Sequence, residues 1–487
     1  MRSPSSPLVS AAWTTVLGLV LCGPSHAQTA FTNIPWANLG GKDLLIDVHL
    51  PAVGSPPYPV AVHVHGGGWS GGSQTELGVL GSALLQRGFV VASVDYRLTS
   101  ETGQYGPFPV TFPAQIHDVK GAVRWLRAQA ATYQLDVTRF VAYGESAGGH
   151  LVALLGTSSG VASLEGDVGG NPGFSSAVQC VVDAWGPTDL LQMNPDVTTP
   201  PGSTLDHDAF TSPESNLLGW NLPGQGLGDL RAHLSDSTPP YPTLAALAHD
   251  VSPISWVDAL DPPMFLMHGT NDTLVPFTQS LRLSAALFAA GVQHDLRANP
   301  GGGHGASTPD LVTAAADFVV AHLNGVAPPD VGVAYCLGDG SALPCPCGNA
   351  SFPGSRTGCE DSFVVGGQLT ATGSPSLTAD SLVLLGDSMP NGPALFFGGT
   401  ARANGGLGSP FGDGLLCVGG SLVRLATHFN TSGFSRYPAP GEAALSSTGA
   451  LTAGAPFHYQ VWYRDAAAWC SPATWNLTNG LSVFWIP

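Results

Sequence analysis

Between residues 59 and 324, short β-rich runs alternate with longer helical ones. That alternation constrains the fold more than any other feature, because it calls for parallel strands joined by crossover helices. The strand candidates are Val60–Val64, Phe89–Val94, Phe140–Tyr143, Val178–Val182 and Met264–Met267. Their near-continuous apolar character suits strands covered on both faces by helices. Between them Ile116, Val119, Val123, Leu126 and Ala130 recur at helical spacing, with Lys120, Arg124 and Arg127 on the other side. Ser284–Ala290 and Leu311–Leu323 read likewise. The expected class is α/β, a mostly parallel sheet with helices on both faces, over residues 28–324. Residues 28–58 read as a lead-in. The pattern fails between about 192 and 250, a stretch rich in Pro, Gly, Thr and Asp. An irregular insertion of that length inside a compact domain reads as a lid or pocket wall.

Gly144-Glu145-Ser146-Ala147-Gly148 is G-x-S-x-G, set between the strand ending at Tyr143 and the helical run from His150. Small residues there permit a sharp turn that lifts a serine hydroxyl above the sheet. A hydroxyl nucleophile needs a base, and the base needs an orienting acid. Asp272 follows the strand ending at Met267, and His304 lies in the loop Pro300-Gly301-Gly302-Gly303-His304-Gly305. Ser146, Asp272 and His304 therefore run in the order that this chemistry uses on such sheets, each in a loop after a strand. Asp189, after the preceding strand, is the rival acid. His268 reads as packing at a strand end, His150 as facing the elbow helix, and His63 as lying in the sheet. His65-Gly66-Gly67-Gly68-Trp69 follows the strand Val60–Val64. Glycines there let backbone N–H groups turn toward a developing negative charge, with the N–H of Ala147 as a further donor.

The formal net charge is −18, and Lys42 and Lys120 are the two lysines of the chain. Nucleic acid and anionic membrane both require clustered cations, so neither is an expected partner. The substrate is expected to be neutral, or held by shape and hydrogen bonds. Arg2, the apolar run Val16–Leu21 and Ser25-His26-Ala27 read as a secretory leader over residues 1–27, cut between Ala27 and Gln28. No later run is long and apolar enough to span a bilayer. An extracellular or periplasmic location follows.

Gly325–Gly332 reads as a linker, and from 333 to 487 the composition shifts to Gly, Ser and Thr with short strands such as Ser381–Leu385, Tyr459–Tyr463 and Leu481–Trp485. Cys336, Cys345, Cys347, Cys359, Cys417 and Cys470 all fall in this region. An even set in an exported chain reads as a disulfide framework, with a metal site on the first four as the alternative. A smaller all-β domain, a sandwich, is expected here. Cys180, alone in an apolar strand, reads as inert core.

His65–Trp69, Asp95-Tyr96-Arg97-Leu98, Gly144–His150 and the Asp272 and His304 loops together resemble the esterase/lipase branch of the α/β-hydrolases, within it the hormone-sensitive-lipase-like and bacterial feruloyl-esterase-like groups. The resemblance covers about residues 45–324. It implies Ser146 as nucleophile, His304 as base, Asp272 as its orienter, and Gly67, Gly68 and Ala147 as oxyanion donors. It implies carboxylic-ester hydrolysis through an acyl-enzyme, with no cofactor and no metal. Acetyl or feruloyl esters of polysaccharide and small aliphatic esters are the substrates it suggests; a serine peptidase or an arylformamidase-like amidase uses the same triad. Asp95-Tyr96-Arg97 resembles a structural motif whose charged pair braces the core, and Glu145 is expected to orient neighbouring loops. The insertion around 192–250 departs from the family pattern, so the resemblance does not fix substrate choice. The C-terminal region resembles a cysteine-bearing module at the ends of exported bacterial proteins, with a surface- or carbohydrate-associated role in view.

Overall fold

The computed structural model describes residues 29–197, 202–323, 331–448, 451–467 and 471–487. The leader, most of the linker, and Cys470 lie outside the described residues.

Eight strands form one sheet: β1 (Ala30–Leu39), β2 (Lys42–His49), β3 (Tyr58–Val64), β4 (Val90–Val94), β5 (Leu135–Glu145), β6 (Cys180–Ala184), β7 (Met264–Gly269) and β8 (His294–Asn299). Their order is β1-β2-β4-β3-β5-β6-β7-β8. From β4 to β8 every pairing is parallel, with Val62 opposite both Ala92 and Ala142. The central strands are apolar on both sides because both are covered: Val60, Val62 and Val64 face one buried cluster, and Ala61 the other.

Residues 28–58 are more than a lead-in. β1 and β2 form an antiparallel hairpin that extends the sheet through the antiparallel pair β2–β4. Leu44, Ile46 and Val48 alternate inward and are all buried, which is a period-2 signal. Asp47, also buried, masks that signal; its carboxylate accepts a hydrogen bond from the Asn33 N–H. The other boundaries move by a few residues: the sixth strand starts at Cys180, not Val178, and runs to Ala184.

The helix Ala114–Ala128 departs from the amphipathic reading in a specific way. Lys120, Arg124 and Arg127 are buried, not solvated. The segment from residue 158 to 177, together with the Val137 carbonyl, supplies their partners. Lys120 Nζ donates to Ser158 O and to the Glu165 carboxylate, Arg124 donates to the same carboxylate, and Arg127 donates to Val137 O, Ser175 O and Ala177 O. A buried cation is tolerable only with its hydrogen bonds filled.

The stretch 192–250 is less irregular than its composition suggests. It carries short helices at Met193–Asp196, Pro213–Leu218, Leu227–Ala232 and Tyr241–Val251. The second starts with Ser212 Oγ accepting from the Ser215 N–H and has Pro at its first position, two strong start signals. Leu217, Leu218, Leu227, Leu230 and Leu244 anchor the stretch in the main core.

Beyond residue 331 the chain is all β. A six-stranded sheet and a three-stranded sheet share one buried cluster: Leu369, Ala371 and Leu384 from the smaller, Phe396, Tyr459, Val461 and Val483 from the larger. Cys336–Cys417 and Cys345–Cys359 are disulfides. Those two bridges rule out a metal held by the first four cysteines of the region. Cys180 is a buried free thiol in β6, and burial pushes its pKa up. No helix of the described residues is long and apolar enough to cross a membrane.

Candidate active site

Ser146 sits between β5 and the helix Ala147–Thr157 with φ 56° and ψ −121°. A non-glycine residue there is strained, at a cost of about 1–3 kcal/mol. The surroundings hold it: the Ser146 N–H donates to Ala184 O and the Ser146 carbonyl accepts from the His150 N–H. The flanking glycine is compulsory, since a Cβ on Gly148 would stand 2.0 Å from Val64 O. The G-x-S-x-G spacing is thus the imprint of a helix start pressed onto the neighbouring strand.

Three loops meet at this turn. His304 Nε2 lies 3.0 Å from Ser146 Oγ, and His304 Nδ1 lies 2.7 Å from Asp272 Oδ2. A carboxylate only accepts, so Nδ1 carries the proton and Nε2 is left to accept from the serine hydroxyl. Asp272 has no exposed side-chain surface, while His304 keeps 22% of its own. Asp272 Oδ1 accepts from the N–H groups of Leu274 and Val275, and Oδ2 from His304 and from His268 Nε2 at 3.1 Å. Burial by itself would raise the Asp272 pKa, but these hydrogen bonds and the imidazoles prevail and hold it well below the usual carboxylate range.

The glycine loop after β3 runs beside the elbow. A Cβ on Gly66 would be 3.4 Å from Ser146 Cβ. Gly67 has φ +110°, and a Cβ there would lie 2.3 Å from Gly71 O. Gly68, at φ +58°, faces Pro213 of the 192–250 stretch at 3.6 Å from its own missing Cβ, so that stretch comes into contact with the glycine loop. Ala147 opens the helix, where the first amides have no partner within the helix.

Tyr96 stacks on His65 with ring centres 4.4 Å apart and donates its hydroxyl to His65 O. Burial pushes the His65 pKa down to about 4, so the ring is neutral. The Asp95–Arg97 pair does not act as a pair. Arg97 binds the fully buried Asp118 with two nitrogens, and Asp95 accepts from the Gln74 N–H. Asp118 belongs to the helix Ala114–Ala128 and Gln74 to the segment after the glycine loop, so each charge finds its partner on a different element. Glu145 accepts from the Val79 N–H and meets His63 Nε2 at 2.9 Å, tying the segment after the glycine loop to the elbow.

The remaining histidines separate cleanly. His150 is buried, accepting at Nδ1 from Trp69 Nε1 and donating from Nε2 to Val251 O. Asp189 does not meet His304; the acid bonded there is Asp272. His268 packs at the end of β7, as its position implies, and in addition bonds Asp272 from Nε2. The i, i+4 spacing of His268 and Asp272 around the strand end was the available signal. Trp185, which no sequence motif marks, has φ 49° and sets its ring 6.3 Å from that of His304.

A family model, BD-FAE, matches residues 46–287. The chain is 31% identical over 280 residues to carboxylesterase NlhH of Mycobacterium tuberculosis, covering 57% of this chain and 75% of NlhH. It is also 31% identical over 276 residues to esterase LipQ of the same organism, spanning 55% of each. Among solved structures, a truncated carbohydrate esterase from gut microbiota superposes with a TM-score of 0.51 at 27% identity, over 62% of this chain and 99% of that one.

Proposed function

The chain belongs to the carboxylesterase family of NlhH, with a BD-FAE domain over residues 46–287, and from that premise we propose that it is a secreted serine carboxylic-ester hydrolase. One observation carries the reading: the unbroken hydrogen-bonded chain from Ser146 Oγ through His304 to the buried Asp272. Ser146 Oγ attacks the ester carbonyl carbon as His304 Nε2 takes its proton. Asp272 stabilises the resulting imidazolium and keeps the ring in register. The carbonyl oxygen, now negative, is received by the amides of Gly67, Gly68 and Ala147. Collapse expels the alcohol, protonated from His304 Nε2. A water then repeats the sequence on the acyl-enzyme, releasing the acid and restoring the serine.

Acetyl or feruloyl esters of polysaccharide, or small aliphatic esters, are uncharged at the scissile bond and fit a chain of formal net charge −18. The structural likeness to a carbohydrate esterase supports the first of these. The apolar leader over 1–27 and the disulfides support an extracellular or periplasmic location. Residues 333–487 read as a separate module after a linker at 325–332.

Purified protein is expected to hydrolyse p-nitrophenyl acetate and to label with a fluorophosphonate. Ser146→Ala should abolish both. Labelling of the variant would mean another serine is the nucleophile, and no turnover on any ester of a panel including acetylated xylan and methyl ferulate would overturn the esterase reading.

A further inference from the structure

The β-rich module beyond residue 331 touches the catalytic half at the loop that carries His304. Three contacts converge there. Arg297, in β8 just ahead of the loop, is clasped by Asp295 and donates from Nη1 to Asp387 of the module at 3.2 Å, a pair with side chains 9% and 8% exposed. Gly433 lies against Pro300: a Cβ on it would be 2.4 Å from Pro300 Cδ. The Phe363 ring lies over Gly301, 3.7 Å from where a Cβ there would stand.

Phe363 is not a casual neighbour. It sits in a turn fixed by Asp361, whose Oδ1 accepts from the Phe363 N–H and whose carbonyl accepts from the Val364 N–H. Val364 holds φ +61°, an outlier for a β-branched residue. Such strain persists only where the surroundings over-determine it. Phe363 and Val364 also line a cavity with Thr270 and Asp272 of the acid loop, and the two loops are themselves joined, since the Gly301 N–H donates to Thr270 Oγ1. Val365 shares the buried cluster of Leu281, Leu296 and Ala298.

We propose that this module is a positioning element of the esterase site, in which Phe363 and Asp387 hold the 300–305 loop so that His304 stays in line between Ser146 and Asp272. The proposal rests on the triad reading above. A glycine-rich loop has little stiffness of its own, and a catalytic group displaced by about 1 Å loses on the order of 100-fold in rate. The module supplies that stiffness from the side the acid loop leaves open.

The test compares full-length Phe363→Ala, Phe363→Leu and Asp387→Asn with wild type on p-nitrophenyl acetate, well below the melting midpoint. Phe363→Ala and Asp387→Asn should lower kcat by about 10- to 100-fold with KM held within about 2-fold, and Phe363→Leu should recover most of kcat. Wild-type kcat in a folded Phe363→Ala protein, even with a lowered melting midpoint, overturns the proposal, as does a change confined to KM. If Asp387→Asn does not fold, Phe363→Ala decides alone. Ser146→Ala and His304→Ala run alongside: turnover surviving in both would sink the triad reading, a result distinct from an intact triad with an indifferent Phe363.

Discussion

His268 Nε2 lies 3.1 Å from Asp272 Oδ2, the same oxygen that receives His304 Nδ1. The acid of the proposed triad is therefore held from behind as well as from in front. His268 is itself fixed, with Ser280 Oγ at 2.8 Å from Nδ1 and Val275 O at 3.0 Å from Nε2. Replacing His268 by Leu keeps the volume roughly but removes a donor from a buried carboxylate. A lost hydrogen bond to a charged group costs about 1.5–3 kcal/mol. The expected outcome is a fall of that size in unfolding free energy by denaturant titration, with kcat/KM lowered by about 10-fold as the carboxylate loosens. Wild-type values for both would mean that the two backbone N–H groups suffice to hold Asp272.

Asp183, at the end of β6, offers a pH test with the opposite sign from Asp272. Its Oδ1 accepts from the Gly186 N–H, while among the described residues Oδ2 has no hydrogen-bond partner. Burial, against the opposing Gly186 N–H and the nearby His268, pushes its pKa up to about 6. Unfolded aspartate titrates near pH ~3.9. Between those values the native state keeps a proton that the unfolded state has released, so stability from this group falls as pH rises from about 4 to about 6 and is then level. Asp183→Asn removes that slope and places an amide where the orphan oxygen was. At pH 8 the variant should be more stable by about 3 kcal/mol, and the gain should vanish below pH ~4. An equal difference at both pH values would show that the carboxyl does not titrate in this window. For Asp272, whose native pKa is depressed, the contribution is present above the unfolded pKa and lost as pH falls toward the native one.

The glycine loop after β3 gives a geometric prediction. A Cβ on Gly67 collides with Gly71 O at 2.3 Å, and φ is +110°. Gly67→Ala must move this loop, and its amides move with it. Losing an oxyanion donor costs about 10²–10³ in kcat. The variant should show that loss with circular dichroism unchanged. Gly68→Ala strains φ +58° but meets only ordinary van der Waals contact, with Pro213 at 3.6 Å, so its loss should be smaller. The reverse ranking would place the oxyanion donors elsewhere.

What was legible in the sequence follows from how far each signal reaches. Ser146 and its glycines are readable because the turn also closes on itself within five residues, a Cβ on Gly144 standing 2.6 Å from the Gly148 carbonyl. Asp272 and His304 were readable as loop positions after strands, and the structure brings both to Ser146. The β1–β2 hairpin is hidden by a buried acid, Asp47, and by the outward Leu45, which sets three apolar residues in a row. Lys120, Arg124 and Arg127 read as a solvated face because the segment that buries them is some 40 residues on in the chain, at Glu165 and beyond. The pairing of Arg297 with Asp387 lies 90 residues apart, and no local period records a contact of that kind. Short-range geometry leaves a motif; long-range packing leaves only composition.

The elbow itself makes the last prediction. Ser146 occupies φ 56° and ψ −121°, a conformation that disfavours any side chain with a Cβ. Among the described residues its hydroxyl makes one hydrogen bond, to His304, whose ring remains partly exposed. Folding therefore bears the strain while chemistry gains from it. Ser146→Gly removes the Cβ and frees the backbone to adopt this geometry without penalty, though glycine also loses more entropy on folding, by about 0.5–1 kcal/mol. With about 1–3 kcal/mol of strain released, the balance favours the variant by about 1 kcal/mol. Turnover on p-nitrophenyl acetate should vanish while the thermal midpoint rises by a few degrees. Ser146→Ala, which keeps the Cβ and the strain, should lose activity without that rise. Equal midpoints for the two variants would show that the turn is held at no cost, and that the serine's backbone geometry reflects the glycines beside it and not a strain stored at the nucleophile.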